Sequence, residues 1–196
     1  MKIIGITGGV GSGKSEVIRW LEKKEKTEVL LADEVGHLLM KQGQMCYRAV
    51  LDLFGENVLG EDGELDRGAI AAIVYRDQQM LLKLNRIIHP AVRMYIEQSI
   101  VEARSRGVDY FFIEAALLLE EQYDKICDEV WYIYARKDVR KERLMKSRNY
   151  SEEKIEQMMA NQLSEEEFAR RCDVTIHNSD DFESTKEEIE NRMSVI

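Results

Sequence analysis

Ile3-Ile4-Gly5-Ile6-Thr7-Gly8-Gly9-Val10-Gly11-Ser12-Gly13-Lys14-Ser15 is the stretch that decides the fold. A short β-branched apolar run passes into a glycine turn, and the turn into residues with helical spacing, Val17, Ile18 and Leu21. Gly8-x-x-x-x-Gly13-Lys14-Ser15 fits the phosphate-loop pattern in full. Several backbone N–H groups must converge on a phosphate chain, and glycines at 8, 9, 11 and 13 permit that tight path. A helix beginning near Lys14 adds the positive end of its dipole. On this reading Lys14 reaches the β- and γ-phosphates of ATP, and the Ser15 hydroxyl sits on a magnesium ion.

Downstream, residues 28–32 read as a second strand. Strand, loop, helix and strand make a βαβ start, which predicts a mainly parallel α/β sheet. From residue 34 to about 107 the apolar residues fall at three- and four-residue steps, as in Leu38/Leu39, Val50/Leu51, Ile73/Val74 and Ile87/Ile88. This predicts a mostly helical insertion, interrupted by a loop over 55–67. Asp66 is placed to cap one helix, and Pro90 to sit in the first turn of another. Apolar runs at 110–113 and 130–134 predict buried strands. Residues 136–148 predict a strongly basic helix, and Ser151 and Ser164-Glu165-Glu166-Glu167 have the form of helix caps. A last short strand at 174–176 and a terminal helix complete the pattern.

Composition limits the alternatives. The chain has 196 residues and a formal charge of −9, from 37 acidic against 28 basic side chains. That balance argues against nucleic acid or a membrane surface as the main partner, although a local basic patch can oppose the overall sign. No apolar run approaches the roughly 20 residues that span a bilayer. The N-terminal apolar run is too short for a signal peptide and runs directly into the glycines, so the expected compartment is the cytoplasm. Cys46, Cys127 and Cys172 lie far apart and suggest reduced thiols.

Around the acceptor the residues leave choices. Asp33 ends the second predicted strand, where a carboxylate orients or deprotonates a hydroxyl, touches magnesium through water, or caps the next helix. Glu114, after the third strand, serves magnesium, the acceptor, or a cap. The basic helix supplies either arginines that close over a moving phosphoryl group or a solvated surface. His37, on the helix after Asp33, is placed to point toward an acceptor, and His89 to contact a phosphate or a carbonyl at a helix start. The histidines show no metal-triad spacing.

The chain resembles the dephospho-coenzyme A kinase family in more than the phosphate loop. The resemblance runs through Ala32-Asp33-Glu34-Val35, Phe54-Gly55, Asp62-Gly63-Glu64-Leu65-Asp66-Arg67 and Ile88-His89-Pro90. It continues in Glu114-Ala115-Ala116-Leu117-Leu118-Leu119-Glu120, Glu142-Arg143-Leu144, Arg148, Gln162 and Ile176-His177-Asn178. It implies a three-layer α/β, nucleotide-kinase-like fold with a mainly parallel sheet of about five strands. The core would take residues 1–35, 108–135 and 172–196, a helical acceptor-binding insertion 36–107, and a basic lid 136–171. The implied reaction moves the γ-phosphoryl of ATP, with magnesium, to the 3′-hydroxyl of dephospho-coenzyme A.

Carried over to this sequence, the resemblance makes Thr7 and residues 8–15 phosphate contacts and Asp33 the general base or hydroxyl-orienting group. Arg143 and Arg148 become lid arginines. Asp66, Arg67 and His89 fall in the acceptor region, and Asn178 in the loop bordering the adenine. Three departures stand out: Leu31 where an aspartate is usual, Ala116 for a proline and Leu119 for a phenylalanine. Strand alternation would point Leu31 away from the face of Ala32, so losing that acid need not remove Asp33 from the site, and the changes at Ala116 and Leu119 remove no charged catalytic group. The competing readings are another small-molecule or nucleotide kinase, and an ATP-dependent binding protein without transfer. Monomer and small homo-oligomer both remain open.

Overall fold

The computed structural model describes every residue from Met1 to Ile196. Five strands form one sheet in the order β2-β3-β1-β4-β5. They are β1 (Lys2–Thr7), β2 (Thr27–Leu31), β3 (Tyr110–Glu114), β4 (Glu129–Tyr134) and β5 (Val174–His177). β1 lies at the centre, parallel to β3 with Ile4 opposite Phe112 and parallel to β4 with Ile6 opposite Trp131. β4 runs parallel to β5. A central parallel strand is covered on both faces, which explains why β1 and β3 are continuous apolar runs. Ile4, Ile6, Phe112, Ile113, Trp131 and Ile133 are fully buried. This is the mainly parallel α/β sheet that the opening stretch predicts, with the five strands that the resemblance implies.

Nine α-helices accompany the sheet: α1 (Lys14–Leu21), α2 (Ala32–Leu39), α3 (Tyr47–Phe54), α4 (Arg67–Arg76), α5 (Gln78–Ser105), α6 (Lys137–Arg148), α7 (Glu152–Ala160), α8 (Glu165–Arg171) and α9 (Phe182–Met193). The molecule divides into two compact units. One comprises Met1–Leu30 and Ala103–Ile196, the other Leu31–Glu102.

In the first unit the sequence signals at helix ends are realised. Ser151 accepts from the Lys154 N–H and starts α7. Ser164 and Glu167 form a reciprocal capping box at α8. α6 ends at Asn149, which adopts the left-handed conformation that asparagine tolerates well. Two of the three lysines of α6 pair with acids of α7: Lys137 with Glu156 at 3.0 Å, and Lys141 with both Glu152 and Glu156. Much of the basic character of α6 therefore serves to hold α7.

In the second unit Asp66 caps α4, its carboxylate accepting from the N–H groups of Gly68 at 2.8 Å and Ala69 at 3.1 Å. Two expectations fail here. Pro90 does not open a helix but lies inside the 28-residue α5. A proline there forfeits one backbone hydrogen bond. The length of the helix and its buried side chains Val92, Ile96 and Ile100, four residues apart, carry it through. The second strand stops at Leu31, so Ala32 and Asp33 belong to α2 instead. Alternation along a strand consequently does not relate Leu31 to Ala32.

Candidate active site

The phosphate loop leaves β1 after Thr7 and enters α1 at Lys14, as its chemistry requires. Gly13 is the residue before the helix, with φ of 90°. A Cβ on Gly13 would fall 2.2 Å from Asn178 Nδ2, and one on Gly9 would fall 2.3 Å from an Arg140 nitrogen. These two glycines are thus demanded by the packing of the protein around the loop, not only by a phosphate. The Ser12 hydroxyl is buried with no hydrogen-bond partner. An orphaned buried donor inside such a loop is the kind of group a ligand satisfies.

Over the loop lies a cleft of about 670 Å³, lined by residues 9–16, Arg19, Glu114, Ala116, Arg143, Leu144, Lys146, Ser147, Arg148, Tyr150 and Met158. Lys14, Arg19, Arg143, Lys146 and Arg148 outnumber Glu16 and Glu114 on its walls. A positive cleft in a chain of charge −9 focuses attraction on an anion. Lys14 Nζ donates to the Gly8 carbonyl at 2.6 Å. Arg143 donates to the Ser12 carbonyl at 3.3 Å, and exposed Arg148 lines the wall at the end of α6. Glu114, the last residue of β3, reaches the same cleft.

Three members of the basic helix that look alike in sequence part company here. Arg143 and Arg148 face the cleft, whereas Arg140 is only 7% exposed and donates to the Val10 carbonyl. Sequence periodicity alone had no means of separating them, because burial depends on contacts more than a hundred residues apart.

Thr7 and Asn178 are not among the residues lining this cleft. Thr7 is 1% exposed at the end of β1, opposite Tyr132. Asn178 is equally buried. Its Nδ2 donates to the Ser12 carbonyl at 2.8 Å, and its Oδ1 accepts from Thr185 Oγ1 at 3.0 Å. Both polar atoms are engaged within the protein, so the side chain braces the Ser12–Gly13 turn. Asn178→Ala leaves a buried carbonyl and a hydroxyl without this partner. Urea denaturation should show a loss of about 1–3 kcal/mol.

The other singled-out residues belong to the second unit. Asp33 is exposed in the first turn of α2, and the residue before the helix is Leu31, whose side chain makes no cap. Asp33 is therefore no N-cap. His37 lies one turn further along, with its Nε2 at 2.7 Å from an Arg67 nitrogen. Since a guanidinium only donates, the imidazole must accept, and a neutral ring is required. His89 stands within α5 rather than at a helix start.

Burial first, and then the Arg67 charge, push the His37 pKa below the ordinary imidazole value, against the opposing pull of Asp33 and Glu34. A depressed histidine contributes stability that is complete above its unfolded pKa and is lost as pH falls through the folded one. NMR titration should place His37 below a free histidine, and Arg67→Met should move it part of the way back. A His37 pKa that Arg67→Met leaves unmoved contradicts the pairing.

None of the three cysteines lines the cleft. All three are free, and burial pushes the Cys127 and Cys172 thiols up to about 12, which keeps them protonated near neutral pH.

A strand-to-helix phosphate loop under a basic cleft defines a phosphate-loop protein built to hold a phosphorylated ligand. Comparison with known proteins narrows the class. The family model described as dephospho-CoA kinase matches residues 2–184, and the chain belongs to that family. A dephospho-CoA kinase of Carboxydothermus hydrogenoformans is 36% identical over 96% of this chain and 91% of its own length. Another from Geobacter sulfurreducens is 37% identical over 100% of this chain and 97% of its own. A crystal structure of a Thermus thermophilus protein superposes with a TM-score of 0.83 and 28% identity, covering 100% of this chain and 97% of that one.

Proposed function

We propose that the protein transfers the γ-phosphoryl group of ATP to the 3′-hydroxyl of dephospho-coenzyme A, giving coenzyme A and ADP. The observation that carries this reading is the family match over residues 2–184, which takes in the loop, the Asp66-Arg67 and His89-Pro90 elements and the basic helix together. A match to the loop alone would support only phosphate handling.

In this reading the N–H groups of residues 8–15 and the start of α1 cradle the phosphates, and Lys14 balances their charge. Magnesium fits the donors present. The Ser15 hydroxyl and the Glu114 carboxylate line one cleft. An ion that keeps its waters and binds phosphate oxygens needs only one or two protein oxygens. When bound, magnesium neutralises charge on the phosphate chain. Asp33 takes the proton of the acceptor hydroxyl as the new O–P bond forms and the bond from Pγ to the bridging oxygen breaks, with ADP leaving. Arg143 and Arg148 offset the charge that spreads over the moving phosphoryl group. His37, Asp66, Arg67 and His89 serve the acceptor, residues 36–107 being its binding region and 136–171 the lid.

ADP release measured with dephospho-coenzyme A, nucleosides and nucleoside monophosphates as acceptors tests the assignment. Dephospho-coenzyme A should give the highest kcat/KM by at least roughly 10²-fold, the scale on which a built polar site rejects an ill-fitting partner. Faster turnover with a nucleoside or its monophosphate would move the protein to another kinase class.

A further inference from the structure

Both backbone polar atoms of Val10, at the tip of the phosphate loop, are held by side chains far along the chain. Its N–H donates to Gln162 Oε1 at 2.8 Å, and its carbonyl accepts from Arg140 Nε at 2.9 Å. A second Arg140 nitrogen lies 3.5 Å from the same Gln162 oxygen, and a third 3.6 Å from a Glu165 carboxylate oxygen. Gln162 stands in the turn between α7 and α8, and Arg140 on α6. The grip is close enough that Gly9 has no room for a Cβ beside the guanidinium.

A glycine-rich loop has much conformational freedom to lose when it closes on a phosphate chain. Fixing its tip beforehand removes part of that loss from the binding step and so tightens binding. The Val10 N–H is turned to Gln162, which sets the direction of the loop at its apex. We propose that Gln162, acting with Arg140, is a positioning residue for ATP, making nucleotide affinity depend on the turn between α7 and α8. This rests on the reading that the loop binds ATP.

The test compares Gln162→Leu, which keeps the size but removes the acceptor, with Gln162→Glu, which keeps acceptor oxygens for both Val10 and Arg140. ATP affinity is measured by calorimetry without acceptor, alongside KM for each substrate, kcat and the thermal midpoint. Gln162→Leu should weaken ATP binding roughly tenfold, the scale of one lost hydrogen bond, with KM for the acceptor within about twofold. Gln162→Glu should stay within about twofold of the parent.

Arg140→Lys keeps the charge but lacks the fork that serves Val10 and Gln162 together, and it should reproduce the ATP-selective loss. Unchanged ATP affinity in both Gln162→Leu and Arg140→Lys overturns the proposal, as does Gln162→Glu falling as far as Gln162→Leu. A parent protein that binds ATP alongside unaffected variants overturns the positioning role alone. A parent that binds no ATP overturns the nucleotide reading itself.

Discussion

Lys14→Ala lowers kcat/KM for ATP by roughly 10²- to 10³-fold, the range seen when one preorganised donor is taken from a developing charge. Lys14 Nζ donates to the Gly8 carbonyl at 2.6 Å, at the mouth of the loop. Its loss leaves that partly buried carbonyl one donor short, which costs about 1 kcal/mol or less of stability. The two effects differ enough in size to be separated by an ATP titration of the rate and a denaturation curve on the same variant. Unchanged kcat/KM would restrict Lys14 to bracing Gly8 and remove the loop from the chemistry.

Asp33→Asn lowers kcat by roughly 10²- to 10⁴-fold while ATP affinity, carried by the loop, stays within about twofold. Asparagine nearly matches the shape of aspartate but cannot take a proton. The side chain makes no helix cap, so its removal touches no capping bond. What folding loses is the favourable placement of a negative charge in the first turn of α2, about 0.3–1 kcal/mol. A stability loss of that size with unaltered kcat would assign Asp33 to the helix dipole alone. Single-turnover rates at saturating ATP make the comparison directly.

Local signals were legible in the sequence, and long-range ones were not. The β1-loop-α1 unit, the Asp66 cap, the Ser151 cap and the Ser164 capping box all depend on residues within a few positions of each other, and each is present. Pro90 defeats a local reading because a proline looks the same at the start of a helix and inside one. Only the burial of Val92, Ile96 and Ile100 shows that α5 continues. Asp33 reads as a strand end because the apolar run of β2 continues into Ala32, where the backbone has already turned helical.

The candidate site divides in the same way. Residues 9–15 of the loop, Arg143, Arg148 and Glu114 line one cleft. Asn178 and Arg140 instead turn inward to the Ser12 and Val10 carbonyls, across separations of 166 and 130 residues. No spacing rule encodes such a pairing. Their charge or amide group advertises a ligand in the sequence, while burial commits them to shaping the loop that holds one. Gln162 carried no local signal of its bond to Val10, 152 residues away.

The central claim is a transfer to one particular hydroxyl, and the identity of the product tests it most directly. The protein is incubated with ATP, magnesium and dephospho-coenzyme A, and the products are followed by ³¹P NMR with mass spectrometry. The account predicts a new 3′-phosphomonoester on the acceptor, formed one-for-one with ADP and identical to authentic coenzyme A. ADP with inorganic phosphate and unchanged acceptor, or a phosphate on any other group, would contradict it.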